Sequence, residues 1–132
     1  MLALNISTLV LIFNGSRDWT DIERIDNMFL KLGLNKRNDV VLYHGDCRGA
    51  DKLAESVAIK YGIKVVSFPA DWKKHKNAAG PIRNKEMLTH AKENDKEVLL
   101  LAFPKGLSKG TRGCMKLARE MKIKIINNED IG

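Results

Sequence analysis

Tyr43-His44-Gly45-Asp46-Cys47-Arg48-Gly49-Ala50-Asp51 is the stretch that decides how this chain folds. The apolar run Val40-Val41-Leu42-Tyr43 leads into it, and Ala50, Leu53, Ala54, Val57, Ala58 and Tyr61 follow at helical spacing. That pattern is a strand, a tight glycine turn and a helix start. Such a turn leaves unpaired backbone N–H groups at the helix N-terminus, where the helix dipole favours negative charge. Gly45 and Gly49 allow a sharp bend and a close approach, and Arg48 adds a cation. The expected visitor is an anion, and phosphate is the natural one.

Outward from this stretch the same unit repeats. Ser7 to Asn14 is a continuous apolar run of strand length, followed at once by Gly15-Ser16-Arg17. Thr20-Asp21-Ile22-Glu23 has the capping-box pattern, Ile22, Ile25, Phe29 and Leu32 mark one helical face, and Gly33 stops it. After Gly62, Ile63 to Phe68 is a third strand that Pro69 ends. Ala70 to Gly80 is a polar, basic connection of the length of a functional loop. Pro81 then takes the favoured first position of a third helix carrying Arg83, Asn84, Met87, Leu88 and Ala91. Val98 to Phe103 is a fourth buried strand, Gly110-Thr111 opens a fourth helix, and Ile123 to Ile126 is a short last strand. Buried strands alternating with amphipathic helices give an α/β fold. The expectation is a Rossmann-like, doubly wound, mainly parallel five-stranded sheet with helices on both faces.

Composition sets the outer bounds. The 132 residues make a single domain, 1–132, and 44% hydrophobic content is that of a globular chain. No apolar run reaches membrane-spanning length and the first dozen residues lack the pattern of a signal peptide, so no membrane partner is expected and the expected compartment is the cytoplasm. Cys47 and Cys114 form neither a metal spacing nor a disulfide framework, and His44, His75 and His90 have no ligand spacing. No metal and no cofactor are expected. The net charge of +7 favours an anionic partner, a small phosphate compound or nucleic acid.

Five loops collect at the carboxyl edge of the expected sheet, and they carry the glycine turns and most of the chemistry. They hold Gly15-Ser16-Arg17, Gly45 to Asp51, Asp71-Trp72 with its lysines, the helix start with Arg83 and Asn84, and Lys105 to Arg112. The opposite turns, Gly33 to Asp39, Gly62, Asn94 to Lys96 and Lys122, hold no such motif. Each piece also has a plainer reading. Gly-Ser-Arg after a strand is often an ordinary turn, Trp72 can stack on a base or pack in the core, and Lys73 to Lys76 reads as a solvated face. Asp51 can cap the second helix, and Asp46 can hold the loop.

These residues resemble a known group. Ile12-Phe13-Asn14-Gly15-Ser16-Arg17-Asp18-Trp19 and Gly45 to Asp51 look like the YspA-like family of the SLOG superfamily. Pro69-Ala70-Asp71-Trp72, Ala79 to Met87, Phe103-Pro104 and Ser108-Lys109-Gly110-Thr111 fit in the same order. The resemblance implies a sheet binding a nucleotide or nucleotide-derived ligand at its strand ends, as a sensor, sequestering protein or processing enzyme, some members acting in phage–host conflict. By it Gly15, Ser16 and Arg17 hold one side of the ligand, and Gly45, Arg48, Gly49 and Asp51 form a second loop. Arg83 and Asn84 approach from the third helix, and Gly110 and Thr111 give a last phosphate turn. Arg17, Arg48 and Arg83 then neutralise phosphate charge, Asp46 or Asp51 binds ribose or orients an arginine, and Trp72 covers the base. A homodimer is implied as well.

Two related branches imply different activities. The cytokinin-activating branch cleaves the base from nucleoside monophosphates and carries a glutamate three residues after the Thr of its Gly-Thr motif; here that position is Cys114. An N-glycosidic hydrolase would then need Asp46, Asp51 or Glu86 as its carboxylate. The DNA-processing branch implies single-stranded DNA as the partner, which the basic charge suits.

Overall fold

The computed structural model describes residues 8–93 and 96–131, and its elements form where apolar runs meet glycine turns. β1 (Leu9–Gly15) is buried along its whole length. The chain continues through α1 (Ile22–Lys31), β2 (Val40–His44), α2 (Ala50–Lys60) and β3 (Lys64–Ser67). A single-turn α3 (Trp72–His75) leads into α4 (Ala79–Lys92), then β4 (Glu97–Phe103), α5 (Lys109–Glu120) and β5 (Lys124–Asn127). The strand order is β3-β2-β1-β4-β5, and every neighbouring pair is parallel.

Successive side chains on a strand point to opposite faces, so β1 serves two cores. Leu9, Leu11 and Phe13 pack against Ile25 and Phe29 of α1 and Val57 of α2. Val10 and Ile12 face the other way, onto Met87 and Leu88 of α4 and Met115 of α5. The doubly wound α/β architecture expected from the sequence is therefore the one observed. The chain leaves β1 through α1 toward β2 on one side, and returns from β3 through α4 to β4 on the other. The order reverses between β1 and β4, whose register runs to Gly15 opposite Phe103. In such sheets the crevice beyond the carboxyl ends at that reversal is where ligands bind.

Several local expectations are corrected. The cap of α1 is Asp21, whose carboxylate accepts from the Arg24 N–H at 3.1 Å, not Thr20. Ile22 is exposed, and Met28 takes the place expected for it in the core. The 70–80 connection is not an open loop: Asp71 caps α3, and residues 76–78 make a further tight turn. α4 therefore starts at Ala79, which puts Pro81 third in the helix, where its missing N–H still has no intrahelical partner to lose. Ser7, where the first strand is expected to begin, and Asn94 and Asp95 of the opposite rim lie outside the described residues. Among the described residues no helix is long and apolar enough to cross a membrane.

Candidate functional site

A cleft of about 460 Å³ opens at the β1–β4 reversal. Its near wall is the end of β1 and the loop after it, Asn14 to Asp18. Its far wall is the start of α5, Lys109 to Thr111, with Lys105 and Ser108 ahead of it. The start of α4, with Gly80 and Pro81, closes one side, and Trp72 stands at the mouth.

The helix starts around this cleft differ in one respect. α1 and α3 are capped by Asp21 and Asp71. α2 carries Asp51 in its first turn. α4 and α5 have no side-chain cap and no acidic residue in the first turn. The hydroxyl of Ser108, in the cap position of α5, instead accepts from the Lys105 N–H at 3.1 Å. Ser108 holds a positive φ of 41°, which turns the chain sharply into the helix. Two helix N-termini thus face one hollow without a side-chain cap, and their dipoles add there; at α4 the Ala79 N–H already donates to the Lys76 carbonyl and Pro81 has no N–H, so α5 is the richer source of amide donors. Arg17, Lys105 and Lys109 also line it, and among the described residues none of them has a carboxylate within ion-pair distance. The one acidic residue on its wall is Asp18, an exposed side chain 3.9 Å from Arg48.

The floor is a buried amide–guanidinium chain. Asn84 accepts from Arg83 Nε at 2.8 Å and from Asn14 Nδ2 at 3.4 Å, and its own Nδ2 lies 3.5 Å from the Gly110 carbonyl. Arg83 also donates to the carbonyls of Gly45 and, at 3.3 Å, Phe68, and reaches Cys47 Sγ at 3.7 Å. Arg83 is expected to neutralise phosphate charge, and its donors here go to neutral acceptors, which leaves that charge in place. It lines the cleft, but its guanidinium ties α4 to the loop after β2.

That loop is also arranged differently from the expectation. The N–H groups of Gly45 (3.1 Å) and Cys47 (3.4 Å) donate to Asp51 Oδ2, and the Asp46 N–H donates to His44 Nδ1 at 2.9 Å. The amides expected to face an anion are thus turned inward. A Cβ on Gly45 would strike the Arg83 guanidinium. Gly49 has φ +78°, and a Cβ there would strike the Arg17 carbonyl, so the loops after β1 and β2 press together through a position only glycine fits. The Ala50 N–H donates to the Ser16 carbonyl at 3.0 Å and completes the clamp.

Of the residues singled out from the sequence, Gly15, Ser16, Arg17, Trp72, Arg83, Asn84, Gly110 and Thr111 share the main cleft. Gly45, Asp46 and Arg48 lie in a second hollow of about 390 Å³, which shares Arg17, Cys47 and Trp72 with the first. Gly49 and Asp51 line neither. Trp72 is 46% exposed, not a core residue, and the Arg17 guanidinium lies 5.3 Å from its ring. Asn14, Asn77, Gly80 and Pro81 belong to the main cleft and were not singled out. Asn14 left one signal, an amide at the carboxyl end of a strand otherwise apolar.

The three candidate carboxylates are scattered. Glu86 is exposed on α4 and lines neither hollow. Asp46 faces the second hollow and is paired with Lys52, which lowers its pKa. Asp51 is 2% exposed, its Oδ1 has no partner among the described residues, and burial raises its pKa to about 6. Cys114 is buried against the second core beside Asn14, and burial pushes its thiol up to about 12, so it cannot stand in for a carboxylate.

Three comparisons with known proteins bear on the chain. The model of the YspA, cpYpsA-related SLOG family matches residues 9–75, from β1 through α3. The Gene 61 protein of Mycobacterium phage D29 is 33% identical over 127 residues, covering 91% of this chain and 96% of that protein. The X-ray structure of DNA processing protein A (DprA) from Streptococcus pneumoniae matches with a TM-score of 0.50 at 16% identity, over 96% of this chain. This chain spans 60% of that DprA chain, and at such identity the likeness is one of fold.

Proposed function

The chain belongs to the YspA, cpYpsA-related SLOG family, and we propose that its main cleft binds the phosphate of a nucleotide or nucleotide-derived ligand, as a sensor or sequestering protein. One observation carries this reading: the uncapped N-termini of α4 and α5 open into the same hollow as Arg17, Lys105 and Lys109. Helix N-termini of this kind favour phosphate, through amide donors and through the dipole together. In this arrangement the first-turn amides of α5 donate to phosphate oxygens and the three cations balance their charge. Trp72, exposed at the mouth, offers its face to the base.

The walls of the cleft favour binding over glycosidic cleavage. Departure of a base leaves an oxocarbenium-like centre that a carboxylate stabilises, and Asp18 is the sole acidic residue on this wall among the described residues. It is exposed, and the position expected to supply a glutamate holds a buried thiol. The mycobacteriophage relative supports a place in phage–host conflict.

Calorimetric titration with nucleoside 5′-monophosphates, the matching nucleosides and inorganic phosphate tests the reading. Monophosphates bind, nucleosides lacking phosphate do not, and chromatography of the mixtures shows no free base. Equal binding of nucleoside and nucleotide would overturn the phosphate site. Release of base would replace the sensor with an N-glycosidase.

A further inference from the structure

The two hollows meet at Arg17, Cys47 and Trp72, and each alone has the volume of a small-molecule site. Their polar equipment differs. The main cleft offers helix amides. In the second hollow the loop amides of Gly45 and Cys47 are committed to Asp51, so its positive charge comes from side chains. Arg48 and Arg17 supply it, and the carboxylate of Asp46 is neutralised by Lys52. Arg48 is 74% exposed, and its one ion pair among the described residues, to Asp18, is a loose contact at 3.9 Å between two exposed side chains. Such a cation is easily drawn to a better partner.

Between the hollows stands Trp72. It borders both, and the tip of its indole lies within van der Waals reach of a Cβ built on Gly80 at the start of α4. The flat guanidinium of Arg17 already lies over the ring. A nucleobase is also flat, and stacking on an aromatic face is available to every base.

We propose that the second hollow is a second anion subsite and that the ligand is a linear compound of two nucleotide units joined through phosphate. One phosphate sits at the α4 and α5 N-termini, one base stacks on Trp72, and the joining phosphate reaches Arg48. The proposal rests on the phosphate reading of the main cleft and adds the ligand's second half.

The test compares 5′-phosphorylated adenosine (pA), the dinucleotide pApA and the octanucleotide p(A)8 by calorimetry, on the intact chain and on Arg48→Ala. Quenching of Trp72 fluorescence is followed in a Trp19→Phe background. The expected result is pApA binding at least about tenfold tighter than pA, the effect of one charge-assisted contact, with p(A)8 no tighter than pApA. Arg48→Ala brings the pApA to pA ratio to within about twofold of one. A ratio near one in the intact protein overturns the second subsite while leaving the phosphate site standing. Affinity that climbs from two units to eight overturns it in favour of a groove for a nucleic-acid strand. Absence of binding by all three compounds overturns this proposal together with the reading beneath it. The melting temperature of Arg48→Ala checks that the fold is kept.

Discussion

Gly110→Asp separates fold from function because the account predicts opposite signs for the two. Gly110 is the second residue of α5, it is exposed, and a Cβ built there meets nothing within 4 Å. The substitution fits without displacing a neighbour. An acidic side chain in the first turn of a helix stabilises by about 0.3–1 kcal/mol through the dipole, and leaving glycine adds a few tenths. The protein is therefore expected to gain about 0.5–1.5 kcal/mol and to melt about 2–6 °C higher. Binding moves the other way. A carboxylate about 6 Å from a bound phosphate repels it by roughly 3 kcal/mol per unit charge at an effective dielectric of about 20, a loss of about a hundredfold or more in affinity. Thermal melting without ligand and calorimetry with a nucleoside monophosphate read the two effects. A stabilised variant with unchanged affinity refutes the α5 start as the phosphate site. A destabilised variant refutes the claim that this helix start lacks a cap.

The floor and the clamp give further expectations. Asn84→Leu leaves Arg83 Nε and Asn14 Nδ2 without an acceptor and is expected to destabilise by about 2–4 kcal/mol in denaturant titration. Asn84→Asp keeps that acceptor but turns an oxygen onto the Gly110 carbonyl, so it is expected to cost less stability than Asn84→Leu while losing phosphate affinity, because its charge faces the cleft. Gly49→Ala drives a methyl into the Arg17 carbonyl at a positive φ and is expected to cost at least about 1–3 kcal/mol in the same titration. Asp51 contributes a pH dependence of defined sign. Its pKa is about 6 in the folded protein against 3.8 as reference, so between those values the folded state holds a proton that the unfolded chain releases. Stability from this group therefore falls as pH rises through about 4 to 6, by up to roughly 3 kcal/mol, and stays flat above. Asp51→Asn removes that slope, so the variant's stability relative to the parent rises by about 2–3 kcal/mol between pH 4 and pH 7. A difference that does not vary with pH would show that Asp51 does not titrate in this window.

The architecture was legible because the first four strands are short apolar runs ended by glycine or proline, and each helix longer than one turn has its own apolar face. Those are local properties, and they survive into the parallel sheet unchanged. Which residues gather at the carboxyl rim was legible, but not how their polar groups are engaged. Gly45 to Asp51 has the composition of an anion loop whether its amides face a ligand or turn inward. The choice is made by Asp51, which lies one helical turn on and folds back to take two of those amides. No local pattern reports that return. Arg83 was similarly ambiguous, since a buried guanidinium and a ligand-facing one have the same spacing on α4, and its contacts with Gly45 and Phe68 exist only once the sheet has formed. Glu86 was readable: Arg83, Asn84, Met87 and Leu88 mark the inward face of α4, and residue 86 falls off it. The 70–80 connection hid a helical turn because a single turn has too few residues to show a period.

A phosphate held at the α5 start must touch the backbone amides there. The most direct measurement is a titration of ¹⁵N-labelled protein with a nucleoside monophosphate, following each amide. The largest shifts are expected at Lys109, Gly110 and Thr111, with Gly80 and Arg17 next and the Gly45 and Cys47 amides little changed. Shifts concentrated at Gly45 to Gly49, with the α5 start silent, would contradict that placement.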